Sequence, residues 1–146
     1  MTGLQIALLV GVFLVMDLMV VGALFHVLSQ TMRDFSAKFP AVEPLPNAER
    51  RRFQSFKFGM ISLGGSVHVG VDERYLHLMP TRAARWLGMK PLSVPWEAIE
   101  IVGNTWIGRS TRVRIAQEEV VGPRWCLQLA ESELADQPPP IDRGVE

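Results

Sequence analysis

A single cysteine, three histidines and no Lys or Arg before Arg33 exclude several classes of protein from the outset. With Cys126 alone no intrachain disulfide forms, which fits a reducing compartment. Its alternation with Trp125, Leu127 and Leu129 reads as a buried small hydrophobe in a strand rather than a nucleophile. His68 and His77 alternate outward in their strands, and zinc would need a third and fourth ligand that the chain does not place nearby. No glycine-rich strand-to-helix motif ends in Lys-Ser/Thr, so Gly64-Gly65 and Gly103-Asn104 read as hairpin turns. Asp72-Glu73 reads as a turn tip, without a second carboxylate pair at mechanistic spacing. We therefore expect no enzyme, no cofactor and no metal.

What is present is one long hydrophobic run. Residues 3–28 are almost uninterrupted in apolar character, and Asp17 is their only charge. As a helix they measure about 39 Å, against about 30 Å for a hydrocarbon core. A cleavable signal would want a positive n-region, a shorter core and a small-x-small site. The run reads instead as a single transmembrane helix over 6–28, after a short segment 1–5. Arg33, Lys38 and Arg50-Arg51-Arg52 follow it, so the positive-inside rule directs the N-terminus outward and the rest to the cytoplasm. The matching location is a bacterial inner membrane.

Within the run, Ala7, Gly11, Leu18 and Gly22 share a helix face, and Ala7-x-x-x-Gly11 permits close helix approach. Asp17 lies about 120° from Gly11. An ionisable group at that depth costs several kcal/mol without a partner, which argues for contact with another chain. His26 lies opposite Asp17. Ala7, Gly11, Asp17 and Gly22 are the candidate packing residues.

Residues 29–52 read as a juxtamembrane helix followed by a proline-rich linker. Met32, Phe35 and Phe39 form an apolar stripe suited to the interface or to a neighbour. Pro40, Pro44 and Pro46 then predict an extended spacer holding the domain some 20 Å away. Residues 47–52 read as a short polar helix or turn.

From residue 53 the period becomes alternating. Val67, Val69 and Val71 share a face, as do Leu76 and Leu78, predicting a hairpin in which Val71 meets Leu76 and Val69 meets Leu78. Strands are also expected over 56–63, 92–96, 97–102, 111–116 and 125–129, with the 92–96 strand at an edge because of Pro95. Residues 81–87 are expected to be helical or irregular, ending at Gly88, and 131–137 to form a short closing helix. Residues 138–146 read as a disordered tail.

The phrases Val71-Asp72-Glu73-Arg74-Tyr75-Leu76-His77-Leu78 and Val94-Pro95-Trp96-Glu97-Ala98-Ile99 resemble the bacterial pleckstrin-homology-like domains. They resemble in particular the small membrane proteins that pair one N-terminal span with such a domain. The resemblance covers residues 53–137 and implies a bent antiparallel β-roll closed by a C-terminal helix. Lipid-binding members of the wider family carry basic residues between their first two strands. Ser62-Leu63-Gly64-Gly65-Ser66, read as that loop, has none, so recognition of inositol phosphates by that route is not expected.

Charge is uneven. Residues 50–114 hold eleven Lys/Arg against four acidic residues, a net +7, whereas residues 118–146 carry a net −5. Arg82, Arg85, Trp86 and Lys90, with Trp96 beside them, form one Arg/aromatic group; Arg109, Arg112 and Arg114 form another. Trp and Arg dominate interface hot spots. No nucleic-acid-binding motif is present. The reading is a non-enzymatic accessory or scaffolding subunit, its helix packed in a larger respiratory or photosynthetic membrane complex. Its cytoplasmic PH-like domain would contact other subunits. The alternative is an anchored domain that binds anionic lipid head groups.

Overall fold

The computed structural model describes residues 1–105 and 108–135. The apolar run folds as α1 (Gly3–Lys38), one unbroken helix of 36 residues. It is capped where the Thr2 N–H donates to the Gln5 side chain at 3.0 Å. Helix α1 is long and apolar enough to cross a membrane, and its residues 3–24 are all exposed. Its last ten residues behave differently. Ser29, Met32, Phe35 and Ser36 are buried, all on the face turned to the domain. The apolar stripe thus packs on the same chain.

Seven strands follow: β1 (Glu49–Phe58), β2 (Ile61–Val71), β3 (Tyr75–Pro80), β4 (Leu92–Pro95), β5 (Ile99–Asn104), β6 (Ser110–Ile115) and β7 (Glu118–Pro123). They form one antiparallel sheet, ordered β4-β3-β2-β1-β7-β6-β5, that curls into a half-barrel. Helix α2 (Arg82–Trp86) lies between β3 and β4; α3 (Arg124–Leu127) and α4 (Leu129–Ala135) follow β7. The β2–β3 register is the predicted one, Val69 opposite Leu78 and Val71 opposite Leu76. As expected, β4 is an edge strand.

Several boundaries differ from expectation. Residues 49–52 are strand, not helix or turn, because β1 pairs Glu49 with Val71 and Arg51 with Val69. The first turn falls at Gly59-Met60, where Gly59 takes φ +57, and Gly64-Gly65 lie inside β2. Gly103-Asn104 belong to β5, at a register shift rather than a turn. Trp96–Ala98 is a 3₁₀ turn ahead of β5. Residues 125–129 are helical, since Pro123 ends β7 and α3 folds its Cys126 and Leu127 inward. The closing helix begins at Leu129; the 138–146 tail lies outside the described residues.

The proline-rich segment is not a spacer. Pro40 forms a bridge to Leu92, and the Ser93 N–H donates to the Phe39 carbonyl at 3.3 Å. The linker thus runs along the outer side of β4 and covers that exposed edge. The domain sits directly on α1, not 20 Å beyond it.

Met32 and Phe35 join the same core as Phe56, Phe58, Val67, Leu76, Leu78 and Trp96. The Phe35 and Phe58 rings lie 5.4 Å apart. We predict that Phe35→Ala costs about 3–5 kcal/mol of β-domain stability. Exposed Arg82→Gln should stay within about 0.5 kcal/mol. Denaturant unfolding of the full chain in micelles measures both.

Candidate functional site

Several of the candidate residues gather where α1 meets the α2–β4 connection. Gly88 takes φ +91 there, and a Cβ on it would stand 2.8 Å from the Ser29 carbonyl oxygen. Glycine is thus required for the connection to lie flat on the helix. Met89 is buried, and the Lys90 N–H donates to the Ser36 hydroxyl at 3.1 Å. These contacts hold Arg85, Trp86, Lys90 and, from α1, Arg33 around one open cleft of about 600 Å³. Among the described residues no ion pair involves Arg33, Arg85 or Lys90. The Arg33 Nε–H donates back one turn to the Ser29 carbonyl at 3.3 Å.

Trp86 is 77% exposed, and its ring centroid lies 4.9 Å from that of Phe25 on the apolar part of α1. Trp96 is not part of this surface. It is buried in the core, with its indole N–H donating to the Asp72 carbonyl at 2.9 Å. Arg82 is exposed on α2 outside the cleft. Arg109, Arg112 and Arg114 are exposed on or beside β6, near the other end of the strand order. There Arg112 pairs with Glu119 at 3.2 Å and Arg114 with Glu100 at 3.6 Å. Such half-exposed pairs contribute about 1 kcal/mol or less. The two groups of arginines are therefore separate surfaces.

Ala7, Gly11, Asp17 and Gly22 are all exposed, and a Cβ at Gly11 or Gly22 would meet nothing within 4 Å. That helix surface is left free by its own domain.

One polar cluster escaped the sequence reading. His77 is buried, contrary to the expectation of an outward, exposed histidine. Its Nε2 lies 2.7 Å from Asp72 Oδ2 and its Nδ1 2.7 Å from Ser93 Oγ. The outer face of β3 is covered by the linker: the Val42 N–H donates to Ser93 Oγ at 2.9 Å and the Leu45 N–H to Asp72 Oδ2 at 3.3 Å. These are the residue types of a hydrolytic triad, but the Ser93 hydroxyl is buried and saturated by Val42 and His77. What the cluster does chemically is fasten the linker. His68, by contrast, is partly exposed, and its Nδ1 accepts from the Phe53 N–H at 3.2 Å. Phe53 sits there at φ +54, where β1 bulges beside Arg50, Arg51 and Arg52. Arg51 is stacked over the Trp125 ring at 4.2 Å.

Among the described residues two groups titrate away from their usual range. Burial alone would raise the Asp72 carboxyl, but hydrogen bonds from His77, Arg74, Tyr75 and Leu45 outweigh it and hold the group at about 2. Burial pushes the Cys126 thiol up to about 12, so it is held protonated and unreactive. Among the described residues no group of three or more His, Cys, Asp or Glu is placed to hold a metal ion.

Compared with protein-family models, curated proteins and solved structures, the chain matches none.

Because the folded Asp72 pKa lies below the unfolded value of 3.8, its contribution of about 2 kcal/mol is complete above pH 4. It is lost as pH falls from about 4 toward 2, and an acid titration should show Asp72→Asn lacking that component. Alkylation by iodoacetamide should leave Cys126 unmodified at neutral pH until denaturant is added.

Proposed function

We propose that this protein is a non-enzymatic, single-span accessory subunit. Its helix packs in a larger membrane complex of the energy-transducing kind, respiratory or photosynthetic. Its β domain, a PH-like roll by resemblance, stabilises that complex through protein contacts. In this reading α1 crosses a bacterial inner membrane with the N-terminus outside. The domain stands in the cytoplasm, on the side where Arg33, Lys38 and the α2–β4 basic residues fall.

The observation that carries the reading is the division of α1. One end is sealed into the β core by Met32 and Phe35, while residues 3–24, with Asp17 among them, are exposed. A carboxyl at that depth costs several kcal/mol against lipid. A neighbouring helix bearing a hydrogen-bond donor removes that cost, and the small residues Ala7, Gly11 and Gly22 allow close approach. A helix fused to its domain also fixes the orientation in which both surfaces are offered.

The test is purification in mild detergent through a C-terminal tag, comparing wild type with Asp17→Leu. A stoichiometric set of membrane subunits should accompany the wild type and be lost or strongly reduced in the variant. Recovery of the wild type as a free monomer would sink the reading.

A further inference from the structure

The cleft at the helix–domain junction has a position along α1 that its composition alone does not reveal. Phe25 stands 22 residues beyond Gly3, so roughly 33 Å of helix precede it, about one hydrocarbon thickness. With α1 in a bilayer, the Trp86 indole packed against Phe25 falls at the border of the hydrocarbon, where amphipathic rings concentrate. The Arg33 side chain turns back one turn to the Ser29 carbonyl. Its guanidinium therefore lies about 6 Å past Phe25, within the head-group layer. Arg85 and Lys90 line the same cleft.

We propose that this cleft binds the head-group phosphate of an anionic phospholipid. Arg33, Arg85 and Lys90 donate to the phosphate, and Trp86 lies along the glycerol and upper acyl chain. Three observations support this occupant. No carboxylate among the described residues pairs with any of the three cations, and the terminal guanidinium nitrogens of Arg33 have no partner there. The nearest acidic residue in sequence, Asp34, projects about 100° further round the helix. The backbone that carries Arg85 and Lys90 is also fixed against α1, by the close Gly88–Ser29 approach and the hydrogen bond from the Lys90 N–H to Ser36. Planar guanidinium groups match phosphate oxygens two at a time. The site needs only that α1 lies in a membrane and is independent of any protein packed on Asp17.

The experiment uses the full chain in micelles with equal amounts of phosphatidylglycerol and phosphatidylcholine, reading retained lipid by native mass spectrometry. Wild type should keep phosphatidylglycerol over phosphatidylcholine by about fivefold or more. Arg33→Gln/Arg85→Gln/Lys90→Gln should lose that preference, and Arg109→Gln/Arg112→Gln/Arg114→Gln should keep it. Equal retention by the wild type, an unchanged preference in the cleft variant, or its loss in the β6 variant would each overturn the proposal. Inorganic phosphate in the millimolar range should not displace the lipid; displacement would mark a soluble-phosphate site instead. A readout indifferent to folding of the cleft variant is the tryptophan emission removed by Trp86→Phe in bilayers with brominated lipid. Brominated phosphatidylglycerol should quench that component more than brominated phosphatidylcholine, and equal quenching would count against the site.

Discussion

The burial of one short helix face governs the molecule. Met32, Phe35 and Ser36 belong to α1 by chain order but to the β domain by packing. A domain of this size buries a modest core, and large apolar side chains there contribute several kcal/mol each. By taking Phe35 against Phe58, the half-barrel completes its core with residues from the end of the long apolar helix. The same contact brings Gly88 onto the Ser29 carbonyl, and with it the basic cleft to the helix end. Anchor, fold and surface thus share one set of contacts.

The second fastening is polar. The linker lies along β4 because Val42 and Leu45 find partners in Ser93 and Asp72, which His77 joins in a buried chain of hydrogen bonds. If the imidazole is neutral with its proton on Nε2, it donates to Asp72 and accepts from the Ser93 hydroxyl. If it is protonated, it donates at both nitrogens and Ser93 turns its proton to the Val42 carbonyl. Either form leaves every member satisfied, which suits a structural tie.

Much of this was legible in the residues, where one interaction dominated. The length of apolar α1 is set by hydrophobicity alone, and the β2–β3 register by strict alternation. Legibility failed where tertiary contacts decide. Arg50-Arg51-Arg52 has the composition of a solvated turn, yet it is strand because β2 is long enough to pair with it. His77 alternates outward as expected, but the surface it reaches is roofed by the linker, which no periodicity records. The Trp125–Leu129 region is a short apolar run, ambiguous between helix and strand. Of the predicted Arg/aromatic group, Arg85, Trp86 and Lys90 meet in the cleft, whereas Trp96 went to the core. Arg33, the residue that joins them, was hidden among juxtamembrane charges. Arg112 and Arg114, read as a free surface, are instead paired with Glu119 and Glu100 on the flanking strands, one of which, β7, the pattern did not show.

The absence of any break between the apolar stretch and Lys38 has a mechanical consequence. A helix that ends in a loose tether lets its domain ignore the bilayer. Here the two form one lever. Bilayers thinner than the hydrophobic length make a helix tilt, at a cost of only fractions of a kcal/mol per ångström of mismatch. Because α1 is keyed into the half-barrel, each degree of tilt is a degree of rotation for the sheet. With α1 in a bilayer, as proposed, membrane thickness is an angular variable of the domain.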